Sequence, residues 1–244
     1  MKFVLPSLIA LIPVFAASGQ IQFRSDLEDS EIEEKQANYS ETLQQLLDSR
    51  DEFRKNYQMV PSGAKRAEVI EEVRKKLTST LLTRILPAWY GTEWDFNGVS
   101  QTPGEGQIAC GYFVTTCLRD AGMNLERVKL AQQASQRIIK TVADPETIKI
   151  IYDKPIEDVA AYLEKSGPGI YIVGLDTHTG FVVNDGENHA LIHSSYYKPP
   201  FSVTAEPIDG RNPLAHSKYR VIGKILDDEM IRKWLMGEAF PMKE

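Results

Sequence analysis

Apolar residues along the chain follow two different periods, and the change between them falls near the middle. In the first half they recur every three or four residues, which is the period of an amphipathic helix. The most regular segment ends at Pro87 and carries its apolar face on Val69, Ile70, Val73, Leu77, Leu81 and Ile85. After Gly169 the apolar segments are short and rich in β-branched and aromatic residues, as in GIYIVGLD, HTGFVVNDGENHALIHSSYY, FSVTAEPI and YRVIGKI. This order predicts an α+β domain, with helices packed on an antiparallel sheet.

Further elements complete this outline. Residues 125–140 and 155–165 have helical patterns, residues 147–153 (TIKIIYD) fit a strand or a helix end, and a last helix starts near Asp228. The stretch QIACGYFVTTCLRDAG (107–122) predicts one short helix. Because no internal repeat or low-complexity tract interrupts these elements, the sequence favours one main domain.

The N-terminus has the pattern of a secretory signal peptide over residues 1–18. One positive charge, Lys2, precedes an apolar run from Phe3 to Ala17 that ends in small residues. The run is shorter than the roughly 20 residues needed to span a bilayer. The sequence therefore predicts export to the periplasm or the cell exterior, with no integral membrane span after cleavage.

Residues 19–60 are acidic and polar, with only weak helical spacing of their apolar side chains. This composition predicts a helical or partly disordered lead-in, followed by the main domain at 61–244. The whole chain has a net charge of −6 at pH 7 and no block rich in Lys or Arg. Nucleic acid and anionic membranes are therefore not expected as partners, because both attract basic patches.

The chain has two cysteines, Cys110 and Cys117, both on the short helix. On a helix, seven residues separate their Cα atoms by about 10.5 Å, whereas a disulfide tolerates at most about 7 Å. Both thiols are thus expected to be free. Cys117 falls in the apolar stripe and reads as a small core side chain. Cys110 falls in the first turn, where backbone N–H groups favour an anion, so its thiol pKa is expected to be lowered.

A nucleophilic thiol needs a base, and three of the four histidines lie in the predicted sheet. The Asp185-Gly186 pair favours a two-residue hairpin turn. In that register His178 lies directly opposite His193, so one imidazole can orient the other. His189 lies nearer the turn and is expected to take no part.

The order of these segments resembles the NlpC-type, papain-like cysteine peptidases of the cell wall. The matching stretches are GTEWDFNG (91–98), ACGYFVTTCLRDAG (109–122), HTGFVV (178–183) and LIHSS (191–195). ERVKLAQQAS (126–135) is similar to the segment that follows the cysteine helix in that family. The resemblance covers roughly residues 65–197 and rests on the ordered set rather than on one motif.

The resemblance implies a papain-like fold with the nucleophile at a helix N-terminus, and a secreted hydrolase that cuts amide bonds in peptidoglycan stem peptides or another peptide. Cys110 is then the nucleophile, His178 the base and His193 the residue that orients it. Gly111 and Trp94 fall where the family binds the substrate and the developing oxyanion. No metal or organic cofactor is implied.

Three positions depart from the family pattern. Ala109 stands where an Asp is usual, Gly111 where a Ser is usual, and Trp94 where a Tyr is usual. An indole N–H can donate one hydrogen bond in place of that hydroxyl, although a packed Trp fits equally well. The long stretch from Arg127 to Lys165 is expected to form a wall of the substrate groove.

Three alternatives remain open from the sequence. The first is a wall-binding module of the same fold without hydrolytic activity. The second is a thiol-dependent acyl or amide transferase with a different substrate. The third is a metallohydrolase that uses His189 and His193, whose spacing matches a zinc pair on a helix, although the Asp-Gly turn argues against a helix there.

Overall fold

The computed structural model describes residues 20–243. The signal peptide expected at residues 1–18 lies outside this part of the chain. The helices are α1 (Asp29–Ala37), α2 (Tyr39–Met59), α3 (Gly63–Thr80), α4 (Leu86–Ala88), α5 (Cys110–Asp120), α6 (Arg127–Ala131), α7 (Ser135–Val142), α8 (Ile156–Ser166), α9 (Pro213–His216) and α10 (Asp228–Met236). A π-helical turn, Leu81–Ile85, joins α3 to α4.

Within the described residues, six strands form one antiparallel sheet in the order β1-β6-β2-β3-β4-β5. The strands are β1 (Lys149–Tyr152), β2 (Gly169–Leu175), β3 (Thr179–Asn184), β4 (His189–Ser194), β5 (Val203–Pro207) and β6 (Tyr219–Lys224). The predicted α+β class is confirmed, with strands from every segment that the alternating pattern singled out.

Side chains of a strand alternate between the two faces of the sheet, and a hydrophobic core covers each face. Phe181 and Ile192 belong to the larger core, which includes side chains of α2, α3, α5, α7 and α10. Val182 and Leu191 belong to a smaller core on the other face, beneath α8. The helix α5 therefore packs on the face that carries Phe181, where Phe113 of α5 meets the Phe181 ring edge to face at 5.9 Å.

The lead-in is helical from Asp29 to Met59 except for a break at Asn38, and it contributes to the main core. Ile32, Tyr39 and Leu46 are buried there. The Tyr39 hydroxyl donates a hydrogen bond to Asp120 at the end of α5. These contacts make α1 and α2 part of the same folded unit as the helix that carries Cys110.

The hairpin between β3 and β4 differs from the expected one. Its loop has four residues, 185–188, and Asn184 pairs with His189. The Asp185 side chain accepts hydrogen bonds from the backbone N–H groups of residues 187 and 188, which stabilises the longer loop. The register expected from a two-residue turn is therefore wrong by two positions.

The slip by two leaves every side chain on its expected face, because strand side chains repeat every two residues. The position opposite His193 is Gly180 instead of His178, on extrapolation of the observed pairing of Phe181 with Ile192. A Cβ atom at Gly180 would lie only 2.9 Å from the His193 Cβ. The missing side chain leaves room for His178, two residues earlier, to reach His193 diagonally.

Within residues 20–243, no helix combines the length and the apolar character that crossing a membrane requires.

Candidate active site

The segment before α5 is held by its backbone in a fixed position. The Ala109 N–H donates to the Gly98 carbonyl at 2.9 Å, and the Ser194 hydroxyl donates to the Ile108 carbonyl at 2.6 Å. A Cβ at Gly98 would lie 2.5 Å from the Ile108 nitrogen, so only glycine allows this approach. Helix α5 then begins at Cys110, and no side chain caps its N-terminus. The first-turn N–H groups are thus free to act near the thiol.

Cys110 is half-buried and not disulfide-bonded. Burial raises the pKa of its thiol, while the backbone N–H groups of Thr179, Gly111 and Cys110 itself act in the opposite direction. The net shift is upward, so the lowered thiol pKa expected from the helix position is wrong. Desolvation of the thiolate outweighs the helix N-terminus, and the resting group is a neutral thiol.

The two histidines predicted to interact are in direct contact. His178 Nε2 and His193 Nδ1 are 2.7 Å apart, and the rings meet edge to face at 4.9 Å. His178 is 4% exposed and His193 is fully buried. Burial lowers the pKa of both, most strongly that of His178, where the charge of His193 adds to the effect. Both rings are therefore neutral at pH 7.

A third residue, Glu206 on β5, completes the chain of hydrogen bonds. Its Oε1 lies 2.9 Å from His193 Nε2, and its Oε2 lies 2.6 Å from the Lys198 ammonium. Burial raises the pKa of this carboxyl, but the hydrogen bond from His193 and the ion pair with Lys198 outweigh burial and leave the pKa below its ordinary value. Glu206 is thus ionised. The sequence analysis missed it, although an acidic residue inside the apolar strand FSVTAEPI is a signal of a buried, paired charge.

The charge on Glu206 assigns the tautomers of both histidines. A carboxylate only accepts hydrogen bonds, so His193 carries its proton on Nε2. Its Nδ1 then accepts, and the proton between the rings belongs to His178 Nε2. A neutral His178 with this proton has a lone pair on Nδ1. This same Nδ1 atom is buried and has no hydrogen-bond partner among the described residues.

Cys110 lies near the backbone that follows His178, at the N-terminus of the helix that packs on the opposite face of the sheet. His193 lies on the sheet face of Leu191, away from α5, and its bonded partner is His178. The thiol lies by the N–H of Thr179, the residue after His178. No hydrogen bond joins the thiol to either imidazole among residues 20–243. The structure thus brings the two histidines into contact and places Cys110 beside the backbone that carries the first of them.

Tyr196 packs against the first histidine of the pair, His178. Its ring meets that of His178 edge to face at 5.1 Å, and its hydroxyl hydrogen-bonds the Thr177 hydroxyl at 2.9 Å. Trp94 packs on the outer side of Tyr196, with ring centroids 5.5 Å apart. Tyr196 is a second residue that the sequence analysis missed, because its position depends on the loop after β4.

A cavity of about 780 Å³ opens beside the thiol. Cys110, Gly111 and Trp94 all line it, together with Tyr112 and Tyr196. A pocket of this size suits a small-molecule or peptide ligand. The residues expected at the substrate side of the site thus share one cavity with the candidate nucleophile.

The packing of α6 against α5 requires a glycine at position 111. A Cβ atom there would lie 2.5 Å from the carbonyl oxygen of Ala131 at the end of α6. The glycine lets α6 close against α5, so the usual Ser of the resembled family has no room. Because α6 and the residues after it line the cavity, Gly111 also fixes the position of one cavity wall.

The remaining candidates lie apart from this cluster. Cys117 is fully buried and belongs to the main core, as expected. His189 is on a strand, four residues from His193, whose two ring nitrogens are both hydrogen-bonded, so the pair does not have the geometry of a helical zinc site. His216 bonds the Asn212 carbonyl through Nδ1 and stacks on Tyr197.

Comparison with known proteins adds no assignment: no family model matches the chain, and neither a curated protein nor a solved structure shows significant similarity to it.

Proposed function

We propose that the protein is a cysteine-type hydrolase of amide bonds, with Cys110 as nucleophile and His178 as base. The observation that carries the proposal is the partnerless Nδ1 of His178, a buried lone pair whose tautomer is fixed through His193 by the charge of Glu206. A buried polar atom without a partner is costly and calls for an explanation, and a catalytic role is one such explanation. His193 and Glu206 are positioning residues in this scheme.

The reaction starts from two neutral groups. The Cys110 thiol turns about its Cα–Cβ bond toward His178, and its proton passes to Nδ1 as the sulfur attacks the substrate carbonyl carbon. The imidazolium that forms is stabilised by the Glu206 carboxylate through His193. The C–N bond then breaks, and Nδ1 returns the proton to the leaving amine. Water then gives a proton to Nδ1 as its oxygen attacks the thioester carbon. The C–S bond breaks, the acid leaves, and Nδ1 returns the proton to the sulfur, which restores the thiol.

The negative oxygen of the tetrahedral intermediate has two donors nearby. The backbone N–H of Cys110 lies in the first turn of α5, which has no side-chain cap among the described residues, and Trp94, whose indole carries an N–H, lines the same cavity. One such donor is worth about 3 kcal/mol in the transition state.

We further propose that the fold is the papain-like arrangement of the NlpC-type peptidases, and that the substrate is a peptidoglycan stem peptide met after export. A helix with cysteine at its N-terminus, packed on an antiparallel sheet whose strands carry two contacting histidines, supports this proposal. The order of these parts along the chain is the order that the resemblance implies.

Purified peptidoglycan fragments test the proposal directly. The intact protein should release new amine ends, and Cys110→Ala should release none. Cys117→Ala is the matched control, since it removes the other thiol from the fully buried stripe of the same helix and should retain activity. A synthetic peptide amide panel extends the test beyond the wall, and added amine acceptors detect transfer products. The proposal is wrong if Cys110→Ala cuts as fast as the intact protein.

An inactive binding module is the second candidate, and one observation favours it. The thiol is neutral and forms no hydrogen bond with His178 among the described residues. In that case the intact protein binds wall fragments without releasing amine ends, and Cys110→Ala binds them equally well.

A further inference from the structure

We infer that the cavity beside Cys110 binds an uncharged, apolar acyl group, so that the preferred substrates carry no charge on the carbonyl side of the scissile bond. This inference rests on the proposed hydrolase function and narrows it. It also limits which stem-peptide bonds fit, because a charged side chain next to the reacting carbonyl would enter this cavity.

The walls of the cavity are aromatic and aliphatic. Its large side chains are Trp94, Phe96, Val99, Tyr112 and Tyr196. Phe96 is 79% exposed and Val99 is 53% exposed. When a ligand covers such exposed apolar side chains at the rim of a cavity, the free energy of the system falls, because apolar surface is removed from water. An apolar ligand group therefore has favourable contacts on several sides.

No Asp, Glu, Lys, Arg or His side chain lines this cavity within the described part of the chain. Apart from the Cys110 thiol, its polar side chains are neutral amides and hydroxyls, and most of these already form hydrogen bonds, including the one between Thr177 and Tyr196. The Gln132 side-chain amide donates to the Tyr112 hydroxyl, and the Gln133 side-chain oxygen accepts from Arg137. A charged substrate group would lose water here without gaining an opposite charge, which is unfavourable.

A buried charge next to the cavity wall is directed elsewhere. Arg127 lies beneath the Tyr112 ring at 4.9 Å from its centroid. Its guanidinium donates to the Val99 and Ser100 carbonyls and to the Thr116 hydroxyl. These bonds hold the cavity wall in place, and Arg127 is not among the residues that line the cavity.

The other side of Trp94 has the opposite character. A second cavity, of about 570 Å³, is lined by Arg24, Glu93 and Lys198 as well as by Trp94 itself. The indole thus separates a charged cavity from the uncharged one that contains the thiol. Charged parts of a substrate are expected on that far side of Trp94, and the acyl group on the side of Cys110.

Four aminomethylcoumarin amides test the inference: acetyl-leucyl, decanoyl, acetyl-glutamyl and acetyl-lysyl. The intact protein should cleave at least one of the two uncharged amides with kcat/KM at least tenfold above both charged ones. Whichever of the leucyl and decanoyl amides is cleaved faster distinguishes an amino-acid side chain from a long acyl chain. The same four compounds, used to protect Cys110 from iodoacetamide, measure binding without requiring cleavage.

Val99→Lys puts a cation into the cavity wall, and Val128→Lys adds the same charge on α6 outside the cavity lining, where Val128 is 50% exposed. Val99→Lys should lower the preference for leucyl over glutamyl at least tenfold, and Val128→Lys should leave it unchanged. Cleavage that favours a charged amide in the intact protein would overturn the inference and leave the hydrolase proposal standing. Protection of Cys110 by the uncharged amides without any cleavage would support the apolar cavity and overturn the hydrolase proposal. If the amides neither protect Cys110 nor are cleaved, the inference and the hydrolase proposal are both wrong.

Discussion

Glu206 controls the protonation of two histidines, although it touches only one of them. Its carboxylate accepts from His193, which forces the proton between the rings onto His178 Nε2. The nitrogen that keeps a lone pair, His178 Nδ1, is the one without a hydrogen-bond partner among the described residues. The chemistry proposed for Cys110 thus depends on a charge two imidazoles away.

Glu206→Gln should therefore lower kcat about a hundredfold with little change in KM. The amide can donate to His193 Nε2 as well as accept from it, so the opposite tautomers become available and His178 Nδ1 then carries a proton. Glu187→Gln, in the exposed hairpin loop, is the matched control and should change neither constant. Equal kcat values for the intact protein and Glu206→Gln would exclude this positioning role.

The pH dependence of kcat/KM follows from the burial of both reacting groups. Burial lowers the pKa of His178 well below its ordinary 6.5 and raises that of Cys110 above its ordinary 9.0. In the proposed mechanism the active form has a neutral imidazole and a neutral thiol, so activity is expected to fall only when His178 gains a proton or Cys110 loses one. The profile should have a flat top from below pH 6.5 to above pH 9.0. A half-maximal point at neutral pH would contradict it.

Tyr196→Ala tests the cause of the acidic limb of that profile. The ring covers His178, and its removal admits water to the imidazole. Since burial is the largest cause of the lowered pKa of His178, the acidic limb should move to higher pH. The matched Tyr197→Ala variant removes a ring that stacks on His216 instead and should leave the limb in place.

At the scale of elements, the sequence predicts the helices and strands well, because each is encoded by the period of its own apolar residues. It also predicts that His178 and His193 meet, because strand side chains alternate between the two faces of the sheet and a register shift of two residues leaves both histidines on the same face. It does not predict the register, because the loop length depends on the hydrogen bonds of Asp185. Glu206 was not predicted either, since no local pattern reveals which strand lies beside β4.

The contact between α5 and α6 gives a prediction at this scale. Gly111→Ala should reduce the free energy of unfolding by about 1 to 3 kcal/mol, because its Cβ would overlap the Ala131 carbonyl and force α6 outward. The control is Gly63→Ala in α3, where a Cβ meets nothing within 4 Å and the unfolding free energy should stay the same or rise. Urea unfolding measures both. Equal unfolding free energies for Gly111→Ala and the intact protein would show that α6 can move away from α5 without loss of stability.

At the scale of the whole molecule, the lead-in and the candidate site share one core. The Tyr39 hydroxyl connects Asp120 of α5 to the Trp89 indole, which donates to it at 3.0 Å. The Gln36 side chain packs against Gly104, in the loop that leads to Cys110. A composition that predicted an acidic, helical or partly disordered lead-in did not reveal this shared core, because only three apolar side chains of α1 and α2, namely Ile32, Tyr39 and Leu46, are buried.

Tyr39→Phe should reduce the free energy of unfolding by about 1 to 3 kcal/mol, since it leaves the Trp89 indole N–H without its acceptor and removes the donor to Asp120. Tyr57→Phe in the same helix α2 is the control, because that ring is only partly buried at the edge of the core. Urea unfolding of both variants, followed by Trp fluorescence, provides the comparison. A lead-in that merely rests on the surface would give the same midpoint for both.

Gly180 has a consequence for recognising similar sites in distant chains. The contact between the histidines requires an empty position beside His193, which glycine alone supplies. In the sequence, the site has a fixed spacing. Gly180 follows His178 by two residues, His193 follows Gly180 by 13 residues, and Glu206 follows His193 by 13 residues. Insertions in the loop 185–188 leave the pairing of the two strands unchanged, so a search for this pattern should let the gap between the glycine and the second histidine vary.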